Sequence, residues 1–351
     1  MKALQNIDRI QISSTVLKTI LALYEKKGAS FYHDSVLKKD ADAFKRKNVE
    51  DNLFALYKML DFDVTDARLS ALVKKDLSPK NKTEQRMQNI KRVIELIHEH
   101  EDIELTITEF SDLAKLLSKS LDQNQYNTTV IEGEALLNQK RISKREDLEA
   151  LLELTNKLIK KQDVPVTHLI ANFYVDFINL AIFKYDNDLI GLFMVYALLT
   201  EHFKALYYVP FFSYFLQYYQ AFKQAEVAAS YYWNSGYAQT EFLTQILLDV
   251  LILCYEDIEK RVHTYQFEVK LNKTDSIENT IYKLPELFSK EDVRIKHPTV
   301  SNATIDRTLA RLRDEGKIRP LGKGRATKWQ QLIEKQPYTK MKQLSLFGDD
   351  L

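Results

Sequence analysis

Five polar residues, Lys184-Tyr185-Asp186-Asn187-Asp188, break an otherwise apolar stretch from Val166 to Leu199. Asp186 and Asp188 flank an amide, and oxygen side chains placed this close could hold a divalent cation. Phe173, Phe177, Leu180 and Phe183 recur at three- and four-residue spacing before the break, and Ile190, Met194, Ala197 and Leu198 after it. This periodicity predicts two buried helices that meet at a polar loop, a natural seat for chemistry.

A second concentration of chemistry lies near the end of the chain. From Val293 to Lys342 there are 13 Lys or Arg against 4 Asp or Glu, a local charge of +9 in a chain whose net charge is +1. Contact with phosphates needs such a local excess. Ser301, Asn302 and Thr304 open a predicted helix that carries Arg307 and Arg311 one turn apart, while Lys323, Arg325 and Lys328 fall on a predicted pair of strands. Elsewhere the signals are weaker. His98 and His100 are two apart and do not share a helical face, so they read as solvated residues. The one cysteine, Cys254, sits in an apolar run and reads as core, which excludes an intramolecular disulfide.

The totals suit a globular chain of one large or two ordinary domains: 351 residues, 45% hydrophobic, 28% charged, with 8 Gly and 7 Pro. The N-terminus lacks a signal-peptide pattern and charges interrupt every long apolar run, so a soluble cytoplasmic protein without membrane contact is expected.

Most of the chain reads as helix. Ile10 to Leu60 alternates apolar and charged positions, with a break at Lys26-Lys27-Gly28. Ser78-Pro79 ends one helix, Thr83 is placed to cap the next, and Ile90, Val93, Ile94 and Ile97 form its buried stripe. Thr108 starts another helix. Gln125 to Gly133 reads as extended, and Ser143 to Lys161 as a helix capped by Ser143 with Glu146 in capping-box position. Tyr207 to Tyr237 is dense in aromatics with few bases, which favours core packing or a partner groove over nucleic-acid stacking.

Ala181 to Leu192, AIFKYDNDLIGL, resembles the loop HPFxDGNGRxxR of the Fic family, whose members transfer AMP or a related group to protein hydroxyls. Phe183 and Asn187 match, and Gly191 lies within the matched stretch. The family's histidine falls on Ala181, its glycines on Asp186 and Asp188, and its arginines on Leu189 and Leu192. Ser78 to Gln85 is similar to a turn that precedes a long helix in the family, and Cys254 to Val262 to its last core helix. The family's inhibitory glutamate falls near Leu60, with Asp61 and Asp63 as alternatives. Thr128 to Gly133 also fits the inhibitory pattern but stands where the family has its flap hairpin. Asp275 to Leu332 resembles the winged helix-turn-helix often joined to Fic domains, and Gln343-Leu344-Ser345-Leu346-Phe347 is similar to the pentapeptide with which bacterial replication proteins dock on the sliding clamp.

These resemblances imply a mainly α, Fic-like bundle with a β-hairpin flap and a C-terminal winged-helix (α+β) domain. The expected divisions are 1–100, an N-terminal helical region; 101–265, the core with its flap (125–142) and loop (181–192); 275–333, the winged helix; and 334–351, a mobile tail. A transferase of this kind needs a histidine base and an anion cradle, and Ala181 cannot serve as base. Carboxylates at the cradle repel phosphate, by about 4 kcal/mol for unit charges about 4 Å apart at an effective dielectric near 20. The expected function is a catalytically inactive scaffold coupled to a DNA-binding winged helix, with no cofactor and no resident metal. Two alternatives stay open: transfer from ATP with Mg²⁺ held by the acidic loop, and an adaptor docked on the sliding clamp through Gln343, Leu344, Leu346 and Phe347. A homodimer is compatible with any of these.

Overall fold

The computed structural model describes residues 1–9, 12–74, 77–99, 106–131, 140–270, 273–297, 300–322 and 327–332. The chain divides into two compact units, Met1–Val262 and His263–Leu351.

The first unit is helical. It runs through α1 (Lys2–Gln5), α2 (Ser14–Lys27), α3 (Ser30–Leu37), α4 (Ala41–Met59), α5 (Asp66–Lys74), α6 (Lys82–Glu99) and α7 (Ile107–Leu117). A hairpin follows, β1 (Thr128–Ile131) and β2 (Lys140–Ser143), then α8 (Arg145–Lys161), α9 (Val166–Leu180), α10 (Asn187–His202), α11 (Phe211–Phe215), α12 (Tyr219–Tyr231) and α13 (Glu241–Lys270), which belongs to this unit up to Val262. Two helices form the centre. Every residue of α9 from Thr167 to Phe177 is buried, as is every residue of α10 from Leu189 to Thr200. Helices apolar on all sides must be surrounded, and α1, α8 and α12 pack on α9 while α6 packs on α10. The two central helices approach closely at Gly191, where an added Cβ would stand 3.0 Å from Phe177 and 3.1 Å from Tyr174.

An acidic side chain is sunk deep in this core. Asp176 is fully buried and accepts from the Ala3 and Leu4 amides, both at 2.9 Å, and from the Trp233 indole at 2.6 Å. Three N–H donors replace the water it loses, and they fix α1 against α9.

Helix starts differ from the sequence reading at three points. Asn81, not Thr83, caps α6, its Oδ1 accepting from Glu84 N at 2.8 Å. Thr106, not Thr108, begins α7, in a capping box with Glu109. The residue before α8 is Lys144, with no side-chain cap, because Ser143 is the last residue of β2. At α6 and α7 several hydroxyl or amide side chains stand within one turn, and sequence does not say which one the chain turns at; at α8 the Ser143 hydroxyl oxygen instead accepts from Arg145 N at 3.3 Å. His98 is a further correction, being 6% exposed with Nε2 at 2.7 Å from the Tyr196 hydroxyl. Burial depresses its pKa to about 4, so it is a neutral core residue and not a solvated one. Cys254 is buried, and burial raises its thiol pKa well above the ordinary value. The aromatic stretch divides: Tyr207, Tyr208, Phe211, Phe212, Phe215 and Phe222 are core, whereas Tyr231, Tyr232 and Tyr237 are exposed.

The second unit contains α14 (Lys273–Lys283), β3 (Leu287–Ser289), α15 (Lys290–Lys296), α16 (Asn302–Asp314), β4 (Ile318–Pro320) and β5 (Lys328–Gln331). The strands form one antiparallel sheet in the order β3-β5-β4, one strand more than the sequence suggested. Ile277, Ile281, Phe288, Val293, Ile305, Leu309 and Ile318 are among the residues of its own core. Among the described residues no helix is long and apolar enough to cross a membrane.

Candidate functional site

The loop between α9 and α10 is held in an unusual backbone shape. Ala181 ends α9 at φ 47° and Asp186 precedes α10 at φ 57°, both in the left-handed region that favours glycine. Local contacts enforce this. Asn187 Oδ1 accepts from Phe183 N at 2.8 Å, and Asn187 Nδ2 donates back to Phe183 O. The Phe183 ring is buried, 5.2 Å from Tyr126 and 6.4 Å from Phe177 between centroids. The loop is also tied to the base of the hairpin: Asn127 N donates to Ile182 O at 2.8 Å and Lys184 N to Gln125 O at 2.9 Å. Asn124 bridges the same edge, donating to Tyr185 O at 2.8 Å and accepting from Tyr185 N at 3.1 Å.

The carboxylates do not converge. Asp186 pairs with Arg86 of α6, while Asp188 is exposed in the first turn of α10, where the positive end of the helix dipole suits it. Among the described residues no group of three or more His, Cys, Asp or Glu is placed to hold a metal ion.

Beside Asp188 the space is nearly closed. Leu60, Tyr174, Leu189, Leu192, Tyr219 and Phe222 surround a cavity of about 20 Å³. That is room for about one water, against about 300–1,000 Å³ for pockets that take small ligands. Tyr174 donates its hydroxyl to Glu226, and Lys223 donates to the same carboxylate at 2.8 and 2.9 Å. Burial, then Glu226, pushes the Tyr174 pKa well above the ordinary value, so this hydroxyl stays protonated. Lys223, which also lines the cavity, is thus engaged by an acid. Leu60 shares the cavity with Leu189 and Leu192, whereas Asp61 lines a different one with Tyr57 and Met87.

Thr128–Ile131 pairs with Lys140–Ser143 in register Thr128↔Ser143, so this stretch is strand and not helix. Glu132 and Gly133 lie outside the described residues, as do His100, Lys323, Arg325, Gln343, Leu344, Leu346 and Phe347.

In the second unit Ser301 caps α16, accepting from Thr304 N at 3.2 Å, and Asn302 is exposed at its first position. Arg307 is exposed and, among the described residues, forms no ion pair. Arg311 differs. It pairs with Glu278 of α14 and, at 3.0 Å, with Glu315, and Lys317 donates to Glu278 at 2.7 Å. Burial raises the Glu278 pKa, but hydrogen bonds from Lys317, Tyr282 and Arg311 outweigh it and bring the group to about 2. Arg311 therefore fastens α16 to α14. Lys328 is exposed on β5.

Arg86, Tyr174, Tyr219 and Glu226 escaped sequence reasoning. They come from α6, α9 and α12, the Arg86–Asp186 pair spanning 100 residues, and no motif spacing signals such contacts.

No protein-family profile and no curated protein matches this chain. Solved structures do. A Fic family protein from Desulfovibrio desulfuricans G20 is similar over 93% of this chain and 98% of its own, at a TM-score of 0.55 and 13% identity. A Fic domain containing signaling protein from Bacteroides thetaiotaomicron VPI-5482 is similar over 69% of this chain and 98% of its own, at a TM-score of 0.51 and 12% identity. The chain has a mainly α, Fic-like fold.

Proposed function

We propose that this chain is a Fic-like scaffold that does not transfer nucleotide, joined to a DNA-reading winged helix, and that it acts as a regulator or adaptor. The cavity of about 20 Å³ beside Asp188 carries the first half of this reading. A nucleotide polyphosphate needs both volume and positive charge, and here leucines and aromatic rings occupy the place while Arg86 and Lys223 are paired with acids. Ala181 brings no acid–base group. Residues that shape the loop, Phe183 and Asn187, hold one another.

For the second half, the order helix, strand, helix, helix, strand, strand fits a winged helix, with α16 as the recognition helix. Its first turn presents Asn302, and one turn further on stands exposed Arg307.

Calorimetry of the whole chain with ATP and Mg²⁺ tests the scaffold reading. No heat is expected, and Ala181→His should not create transfer of labelled AMP, because the missing base is only one of several deficits. Binding of ATP, or transfer by the substituted chain, would favour the metal-assisted alternative. Mobility shift with duplex DNA tests the other half, and absence of any shift removes it.

A further inference from the structure

The reading of the loop leaves unused a larger cavity at the opposite end of α9. It measures about 610 Å³ and lies among α2, the end of α8, the start of α9 and the end of α10. Its walls are apolar: Ile20, Leu158, Ile159 and Leu169 line it. Its polar lining residues are Tyr24, Lys27, Gln162, Asp163 and His202. Lys27, the last residue of α2, is half-buried, with its ammonium over the rings of Tyr24 at 5.3 Å and Phe203 at 5.0 Å. Among the described residues it has no ion-pair partner, and burial lowers its pKa.

Two further groups sharpen this. The residue before α9 is Pro165, which offers no side-chain cap, so the positive end of a 15-residue helix opens at the cavity through Val164, Pro165 and Val166. His202 lines the cavity too, and its Nε2 is buried with no hydrogen-bond partner among the described residues. Burial, followed by Lys27 and Lys204, lowers its pKa, so the ring is neutral at neutral pH. The single acid of the lining, Asp163, pairs with Lys161.

A half-buried cation with no ion-pair partner among the described residues, a helix start without a side-chain cap at Pro165 and a buried imidazole nitrogen all gain from one anionic oxygen pair. The apolar walls gain from a hydrocarbon body. We propose that this cavity binds a small amphipathic carboxylate, its head at Lys27 and the start of α9 and its tail against Ile20, Leu158, Ile159 and Leu169. A single unpaired cation and mostly apolar walls suit a monoanion with a tail better than inorganic phosphate or a polyphosphate. The inference does not depend on the loop being inactive or on DNA binding.

Titration calorimetry on the whole chain with octanoate provides the test, with octan-1-ol and inorganic phosphate as comparators. Octanoate should bind saturably and more tightly than either comparator. Lys27→Met, which keeps the apolar stem, should weaken octanoate by about tenfold or more, and Lys27→Arg should retain it. The melting temperature of each substituted chain, read without ligand, separates loss of the site from loss of the fold. Absence of octanoate binding, equal binding by a stably folded Lys27→Met chain, or equal affinity for octan-1-ol or phosphate would overturn the proposal.

Discussion

At the scale of the residue, the loop separates shaping from chemistry. Phe183 and Asn187 are linked to each other by two hydrogen bonds, so they set the backbone path whatever the neighbouring positions carry. Ala181 and Asp186 hold left-handed backbone at a cost that these surrounding bonds offset. The turn before α6 shows similar specificity. Glu84 accepts from Nε and Nη2 of Arg68 at 2.9 and 2.8 Å and from the Lys80 amide at 2.7 Å. The bond from Arg68 is the largest influence that brings its pKa from 4.5 to about 2. A depressed carboxylate contributes stability above its unfolded value and loses it as the pH falls towards the folded one. Thermal melting should therefore show stability declining between pH 4.5 and about 2, and Glu84→Gln should flatten that decline while lowering stability near neutral pH. An unchanged acid limb would assign the decline to other groups.

At the scale of the element, α9 and α10 are readable from their apolar spacing, and their close approach is not. Gly191 stands against Phe177 and Tyr174, both buried and both packed on further rings. Gly191→Ala places a methyl where the rings must yield by a few tenths of an ångström. A loss of about 1 kcal/mol is expected by urea denaturation, helix propensity offsetting part of the strain. Greater stability in the substituted chain would mean the rings move freely. The apolar stripe of α6, Ile90, Val93, Ile94 and Ile97, was legible because burial there follows the helical period. The caps at Asn81 and Thr106 were not, since Asn, Thr and Ser compete within one turn and tertiary contacts choose among them. Strand β3 was missed because three residues carry no period of their own. Its place comes from pairing with β5, Phe288 opposite Trp329.

At the scale of the whole molecule, two units with separate cores divide the labour proposed above. Arg307 and Arg311 test the second unit because sequence treats them alike and structure does not. Arg307→Glu should weaken binding to duplex DNA and reduce the slope of log affinity against log salt by about 1. Arg311→Met should instead lower the unfolding temperature, since it strips Glu278 and Glu315 of a partner. If the two substitutions act alike on DNA at full folding, Arg311 leaves Glu278 to contact phosphate.

The amino-acid sequence by itself determined the helical class, the two central helices, the loop between them and the basic end of the chain. Each is written in composition or in short-range period, which local physics converts directly into structure. Tertiary structure alone decided that the loop's neighbouring space is closed, that Asp186 belongs to Arg86, and that Arg311 belongs to Glu278. Those facts depend on side chains brought together from distant helices, and no local pattern records a cavity or a long-range ion pair.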